Sequence, residues 1–550
     1  MQNKENATVE FAEALVTDVY EDYSARSAAR RSIEAEWQLN LDFIAGRQYS
    51  AVTPTGDVVE QDGGFYWQSK NVFNHVLPVV DTRLAKLSGV RPIMTVRPAT
   101  NDENDVRTAE LASKVLRSTC ARLATDELIS SATRWSEITG TAFYKVGWNS
   151  SAGMCLGTFD GQSVTEGDVD IEVISPFEIF PDQLTRERIC DCASIIRARV
   201  VCIKDIEAAY GVKVSADGPV YTVGASGREQ RRDGVTLIER YERPSEQFPE
   251  GRIVTVAGGK LLSVESFPYI NGALGSREYP FVRQVSLLLP GCFFGTGIIS
   301  RLIPVQRAYN AVKNRKHEFL NRISMGVLTV EDGSVDVDAL AEEGLCPGKV
   351  LVYRQGSVPP KMMEAESIPS DFSEEEEKLL EEFVLLGGVN EVSSKFKQTL
   401  GVTSAAGLQI ILEQDSERLS VPAENIRRAV KELARQIIRL FKQFAVVSRI
   451  MRLAGEDNTA EVFSFSNADI TSDDVIFETE NELSFSPSQR RNSVLELVES
   501  GLLNGDDGKL SAAAKKRILE LIGYGGLAID GESGQPQKTG NNSPISEKTP

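Results

Sequence analysis

One amphipathic stripe constrains this chain more than any other feature. From Leu408 onward, apolar residues fall at Ile411/Leu412, Leu419, Ile426, Val430, Leu433, Ile437, Leu440/Phe441 and Phe444. Most of the later steps are three or four, the period of a helix that buries one face. A helix from Ser404 to about Leu453 would run roughly 75 Å at 1.5 Å per residue, too long for an ordinary globular helix. Pro422 interrupts the stripe, so a kink is expected near Leu419, because proline lacks the N–H and its ring crowds the preceding turn. An architecture that spans a long distance is required.

The rest of the chain supplies what such a helix could pack against. The chain has 550 residues, 41% of them hydrophobic, enough for several domains with real cores. Residues 9–45 read as a charge-rich helix closed by Gly46. NVFNHVLPVVDTRLAKLSG reads as a helix ending at Gly89, RPIMTVRPAT as a short strand, and 101–138 as helix again. The period then switches to two through TAFYKVGWN, DVDIEVISPFEIFPD, SIIRARVV, VTLIERYER, GRIVTVAGGKLLSVES and YPFVRQVSLL, so 140–290 is mainly strand. A helix is expected from Pro304 to Ile323, with proline in its first turn. A compact strand–helix–strand insert follows. SEEEEKLLEEFVLLGG forms the next helix, with Ser373 and Glu376 in a capping-box pattern. Beyond Gly455, EVFSFSN, DVIFETE and ELSFSP read as short strands and 487–525 as two helices. Residues 526–550 have the low-complexity composition of a disordered tail. No internal repeat stands out.

The two helices around the insert carry opposite charge. The first holds Arg301, Arg307, Lys313, Arg315, Lys316 and Arg322 against Glu318. The second holds Glu374, Glu375, Glu376, Glu377, Glu381 and Glu382 against Lys378. A hairpin with the insert at its tip would bring the charges together; the alternative is two solvated faces. Exposed pairs contribute only a few tenths of a kcal/mol each, so charge would select the partner faces more than hold them.

Composition narrows the function classes. The net charge of −19 disfavours tight, specific capture of a phosphate backbone, which needs clustered Lys and Arg. It leaves room for loose handling of DNA. Seven cysteines without regular pairing suit a reducing compartment. No signal pattern opens the chain and no apolar run approaches the ~20 residues of a membrane span, so a soluble protein made in the cytoplasm, with no membrane partner, is expected.

Catalytic signatures are missing. Lys260, Lys349 and Lys509 follow glycines but precede Leu, Val and Leu, so no phosphate-cradling G-x-x-x-x-G-K-[ST] loop is present. Gly295-Thr-Gly297 is too short for a dinucleotide fingerprint. His75 and His317 lie far apart in helical patterns and read as structural or surface residues. Cys190 and Cys192, with Cys202 nearby, lack the C-x-x-C spacing of zinc sites. No catalytic residue, metal site or cofactor is expected, and the chain is not read as an enzyme.

The element order is similar to that of tailed-bacteriophage portal (head-to-tail connector) proteins of the podovirus type. DFIAGRQY with KNVFNHVLPVVDTRLAKLSGVRPIMTVRPAT resembles their N-terminal portion. GTAFYKVGWNSSAGM and DIEVISPFEIFPD resemble the wing. YPFVRQ followed by FFGTGIISRLIPVQRAYNAVKN is similar to the entry into the first stem helix, and SFSPSQRRNSVLELVESGLL to the helix after the wing. The resemblance covers nearly all of residues 30–525 and rests on the order of these phrases.

It implies a mainly helical α+β portal fold that forms rings. Residues 1–139 would be the helical part of the wing, 140–294 its β-rich part, 295–323 and 370–388 the stem helices and 324–369 the clip. A tunnel loop, 389–403, would face DNA through Lys395 and Lys397, beside Ser393 and Ser394. Residues 404–454 would form the long wing helix bent at Pro422, 455–486 the return strands and 487–525 the crown; a C-terminal barrel is not expected. Stem pairing would involve Arg307, Lys313, Arg315, Lys316 and Arg322 with Glu374, Glu375, Glu376, Glu377 and Glu381. Implied partners are further copies in a twelve-membered ring, double-stranded DNA held without sequence preference, the terminase large subunit, a head-completion or tail adaptor, and the major capsid and scaffolding proteins. The implied location is the capsid vertex of the virion. Two other readings are a scaffold or minor head protein, disfavoured by the strands of 140–290, and a metal-dependent nucleic-acid enzyme.

Overall fold

The computed structural model describes residues 2–53, 55, 57–60, 70–89, 94–159, 162–216, 220–224, 227–231, 234–272, 275–325, 327–338, 340, 350–363, 370–388, 418–454, 460–477 and 518. Among these residues it is an α+β fold with more helix than strand. Nothing is described of 389–403, expected as the tunnel loop, of 404–417, or of the stretches expected as crown and tail apart from residue 518.

Helix α1, Gln2–Ile44, is about 65 Å long at 1.5 Å per residue and joins three of the hydrophobic clusters in turn. Leu15, Val16 and Val19 pack on Phe180, Ile196, Ile238 and Val254. Trp37 meets Phe177 and Phe294 edge-on, at 5.2 and 4.8 Å between centroids. Leu41 and Phe43 join Val76, Ile299 and Ile303. Between these contacts Arg30 is fully buried. Its guanidinium donates to Glu34 and to the carbonyls of Pro176, Phe177 and Ile179, and lies 3.6 Å from the Phe180 ring centroid. Burial lowers its pKa, against the opposing pull of Glu34. A charge so enclosed persists because its donors are occupied.

Strands β1 (Ser50–Val52) and β2 (Val58–Glu60) form a small ribbon, and α2 follows at Val76–Leu87. Strand β3, Met94–Val96, leads into the stretch expected as one helix. That stretch divides into α3, Glu103–Arg122, and α4, Thr125–Thr139. The break is at Ala124, whose φ of +47° is left-handed. An L-residue there costs about 1–2 kcal/mol, and burial of α3 and α4 on different neighbours outweighs it.

The alternating region builds two antiparallel sheets. One has the order β15–β4–β7, from Phe281–Val285, Thr141–Asn149 and Asp168–Ile174. The other runs β14–β13–β12–β9–β8, from Lys260–Glu265, Arg252–Ala257, Gly234–Glu242, Ser194–Cys202 and Ile179–Pro181. Hairpins β5/β6 (Cys155–Phe159, Gln162–Thr165) and β10/β11 (Val220–Gly224, Gly227–Arg231) flank them, and α5, Ile203–Tyr210, follows β9. An ionic network spans the two sheets. Arg197 pairs with Glu172 at 2.7 Å and Glu178 at 3.2 Å, and Lys145 with Glu239 at 3.1 Å. Burial would raise the Glu239 pKa, but Lys145, Arg197 and Arg199 hold it below the usual value.

The part of the amphipathic stripe from Ile426 to Phe444 lies in α8, Ser420–Phe444; its earlier positions at 408–412 lie outside the described residues. Its Leu433, Ala434, Ile437 and Phe441 seat on Ala142, Tyr144, Val146 and Val282 of the three-stranded sheet and on Ala112, Val115 and Leu116 of α3. Burying each of Leu433, Ile437 and Phe441 is worth about 1.5–3 kcal/mol. One expectation about it changes. The helix ends at Phe444 instead of about Leu453, and Arg449–Ala454 is a strand, β18, paired with β19, Ala460–Phe465. Arg449 secures the new direction: its guanidinium donates to the carbonyls of Gly167 and Glu166 and stands 4.8 Å from the Trp148 ring. Pro422 sits in the first turn of α8 as described, a position where the missing N–H is unpaired in any helix; the kink expected near Leu419 adjoins residues 404–417, outside the described residues. The last described strand, β20 (Val475–Phe477), returns to β3.

Candidate functional site

Helices α6, Ile299–Met325, and α7, Asp371–Gly387, run antiparallel around the insert. The pairs Tyr309–Phe383 and Phe319–Phe372 set this direction, at 6.4 Å between centroids in both. Two short strands, β16 (Val327–Thr329) and β17 (Lys361–Met363), pair as the foot of the insert.

Helix α6 begins five residues before Pro304, not at it as expected. An interior proline costs about 3 kcal/mol. Ile298, Ile299, Leu302 and Ile303, all buried, return about 1.5–3 kcal/mol each, so packing decides the boundary. The capping box at Ser373 is also replaced. The helix starts after Ser370, and Glu376 turns its carboxylate away from its own backbone toward α6.

That carboxylate is the electrostatic centre of the hairpin. Lys313 donates to Glu376 Oε1, Lys316 to Oε2 at 3.0 Å, and the Tyr309 hydroxyl to Oε1 at 3.3 Å. Lys316 also reaches Ser373 Oγ at 3.3 Å. Burial would raise the Glu376 pKa, but the two lysines hold it below the usual carboxylate value. Tyr309 is pushed up to about 12, by burial first and by the Glu376 charge next. Because the folded pKa of Glu376 is depressed, its stabilisation is present above the unfolded value of about 4.3. It is lost as pH falls through the folded one.

The other charges expected here go elsewhere. Arg307 donates to the Ser50 carbonyl at 2.9 Å and lies 5.3 Å from the Phe43 ring, tying α6 to the body. Arg315 is exposed, as are Glu374, Glu375, Glu377 and Glu381. The Arg322 side chain lies outside the described residues, as do Ser393, Ser394, Lys395 and Lys397. Reversing Glu376 to Lys puts three cations together and is expected to cost the hairpin about 1–2 kcal/mol. Hydrogen exchange across α7 should show this, and the further changes Lys313→Glu and Lys316→Glu should restore much of the protection. No restoration would mean that charge does not hold these faces together.

Sequence reasoning missed a polar ladder on α6. Gln306, Asn310 and Asn314 are spaced by four and are all buried. They accept hydrogen bonds from the backbone N–H of His75, Phe73 and Asn71 at 3.0, 3.1 and 3.1 Å. Gln306 and Asn314 also donate to the carbonyls of Phe73 and Asn71, at 2.8 and 3.0 Å. The helix thus offers an extended segment the pairing that a strand edge would. The available signal was three amides at i, i+4, i+8 beside a basic face.

A buried lock joins the hairpin to the body. Arg83 donates to Glu137 Oε2 at 2.7 Å and to the Gly387 carbonyl, the last of α7, also at 2.7 Å. Ser286 donates to the other oxygen of Glu137. Just below, Gly295-Thr-Gly297 proves to be a packing motif. A Cβ on Gly295 would lie 2.3 Å from Val285 and one on Gly297 2.6 Å from the Glu137 carbonyl. The histidines are built into the same base: His75 rests 4.5 Å from Tyr309, and His317 5.6 Å from Phe73.

Among the described residues no group of three or more His, Cys, Asp or Glu could hold a metal ion, and no helix is long and apolar enough to cross a membrane. Cys190 is exposed, whereas Cys192 is buried with its thiol pKa pushed up to about 12 by burial first and Asp182 next.

No curated protein matches this chain. Residues 222–462 match the family model described as phage SU10 portal protein. The matched stretch carries the second half of the five-stranded sheet, α6, the insert, α7 and α8. The match covers less than half of the chain and supports a phage portal protein.

Proposed function

We propose that this chain is the subunit of a ring-shaped DNA conduit at one capsid vertex, through which a phage genome is packaged and ejected. The observation that carries this reading is the family match, because it spans the whole α6–insert–α7–α8 succession. In this reading α6 and α7 are the stem, the insert is the clip that meets the terminase large subunit and then a tail adaptor, and α8 links tunnel to wing. Capsid and scaffolding proteins surround the wing, and the ring has twelve copies of podovirus type.

The electrostatics suit a conduit. A ring of chains at −19 each repels DNA over most of its surface, and a few lysines then permit contact without capture. The role is mechanical, with no chemistry asked of the chain. Imaging the purified protein by negative stain tests it. Closed rings with a central hole are expected, and a monodisperse monomer would refute the proposal. Changing Lys395 and Lys397 together to Glu should leave rings intact while reducing packaged DNA per particle; unchanged packaging would remove these two lysines from the tunnel.

A further inference from the structure

A cleft of about 800 Å³ opens between α8 and the loop that precedes β15. Arg188, Arg243, Arg277, Arg283 and Arg428 line it, against Glu278 and Glu432. Five arginines in one cleft contrast with a chain that carries 79 acidic and 60 basic residues. Two of them are occupied, Arg277 with Glu250 at 3.1 Å and Arg428 with Glu424 at 3.2 Å. Arg243 donates only to the Cys190 carbonyl at 3.4 Å, and Arg283 to the Phe293 carbonyl. Among the described residues neither these two nor Arg188 has a carboxylate partner. Gln436, on the wall contributed by α8, is 4% exposed and its Oε1 has no hydrogen-bond partner.

We propose that this cleft receives an acidic peptide segment of a second copy of this chain. Guanidinium forks match carboxylates in a paired, planar geometry. The Gln436 amide matches a peptide group, which offers both donor and acceptor. Ile189, Pro244 and Phe281 add apolar wall suited to the body of a peptide. A DNA backbone fits less well, since Glu278 and Glu432 would face its closely spaced phosphates. Leaving the buried Gln436 Oε1 without a partner is costly, so an occupant that donates to it is favoured. The inference takes from the proposed ring only that a second copy is at hand.

The test uses the full chain as a mixture of natural and 15N-labelled copies, with a benzophenone maleimide on Cys190, which is exposed at the cleft. After irradiation and digestion, mixed-isotope cross-links from Cys190 to an Asp- or Glu-bearing peptide are expected. Their yield should fall about tenfold or more in Arg188→Ala/Arg243→Ala, for the loss of two charge-assisted hydrogen bonds. Cross-links that are absent, that stay within one copy, that persist in the double variant, or that a short DNA duplex abolishes would each overturn the proposal. Rings without the cross-link would reject this inference and keep the conduit; the cross-link without rings would do the reverse.

Discussion

Replacing Arg83 with Met is expected to lower stability by about 3–5 kcal/mol, the range for breaking a buried ion pair from one side. Glu137 is 1% exposed and Arg83 4%, so the variant leaves a carboxylate in the interior with, among the described residues, only Ser286 as a side-chain donor. The Gly387 carbonyl loses its partner at the same time. The change should therefore appear as a lower thermal midpoint and as faster hydrogen exchange at the end of α7. Removing both charges, as Arg83→Met/Glu137→Leu, should recover most of the midpoint, since an apolar pair of similar volume often replaces a buried ion pair without loss. Exchange at the end of α7 should stay fast in the double variant, because the Gly387 carbonyl is still unpaired. A single variant within about 1 kcal/mol of the parent would contradict the assignment of this pair as the lock between hairpin and body, that being an exposed pair's worth.

Gly140→Ala is expected to be at least as damaging. Gly140 joins α4 to β4 with φ +93°, and an added Cβ would lie 2.2 Å from the Gly295 carbonyl oxygen. Left-handed strain and overpacking against backbone each cost about 1–3 kcal/mol, and neither contact can relax by rotating a side chain. Gly46→Ala is the control. It has φ +87° but open space around it, so only the conformational cost of about 1–2 kcal/mol applies. Comparing soluble yield and thermal midpoint separates the two contributions. Equal effects at the two positions would mean that the close approach of Gly140 and Gly295 does not matter.

Element types were readable along most of the chain, because periods of two and of about 3.6 are local properties. The alternation of TAFYKVGWN makes β4, and the stripe from Ile426 to Phe444 makes α8, in both cases because one face is buried. Boundaries were harder. Pro304 read as a helix start because proline favours the first turn, yet four buried apolar residues before and around it extend α6 upstream. Residues 445–454 read as helix by spacing, yet Arg449 finds carbonyl acceptors and an aromatic face only when the chain turns there into a strand. Glu376 read as half of a capping box, and two lysines on another helix outcompeted its own backbone.

The sequence by itself determined the two opposite-charged helices, the long amphipathic helix and the β-rich centre, since each is written in residues close together. Tertiary structure decided which of six neighbouring glutamates meets the lysines and which amides on α6 hold the segment 71–75. It also decided that Arg83 finds Glu137, 54 residues away, and that five arginines from four separated stretches share one cleft. The physical reason is the range of the interaction. Periodicity and charge fix what one element presents, whereas pairing depends on the register at which buried surfaces meet, which no local pattern contains.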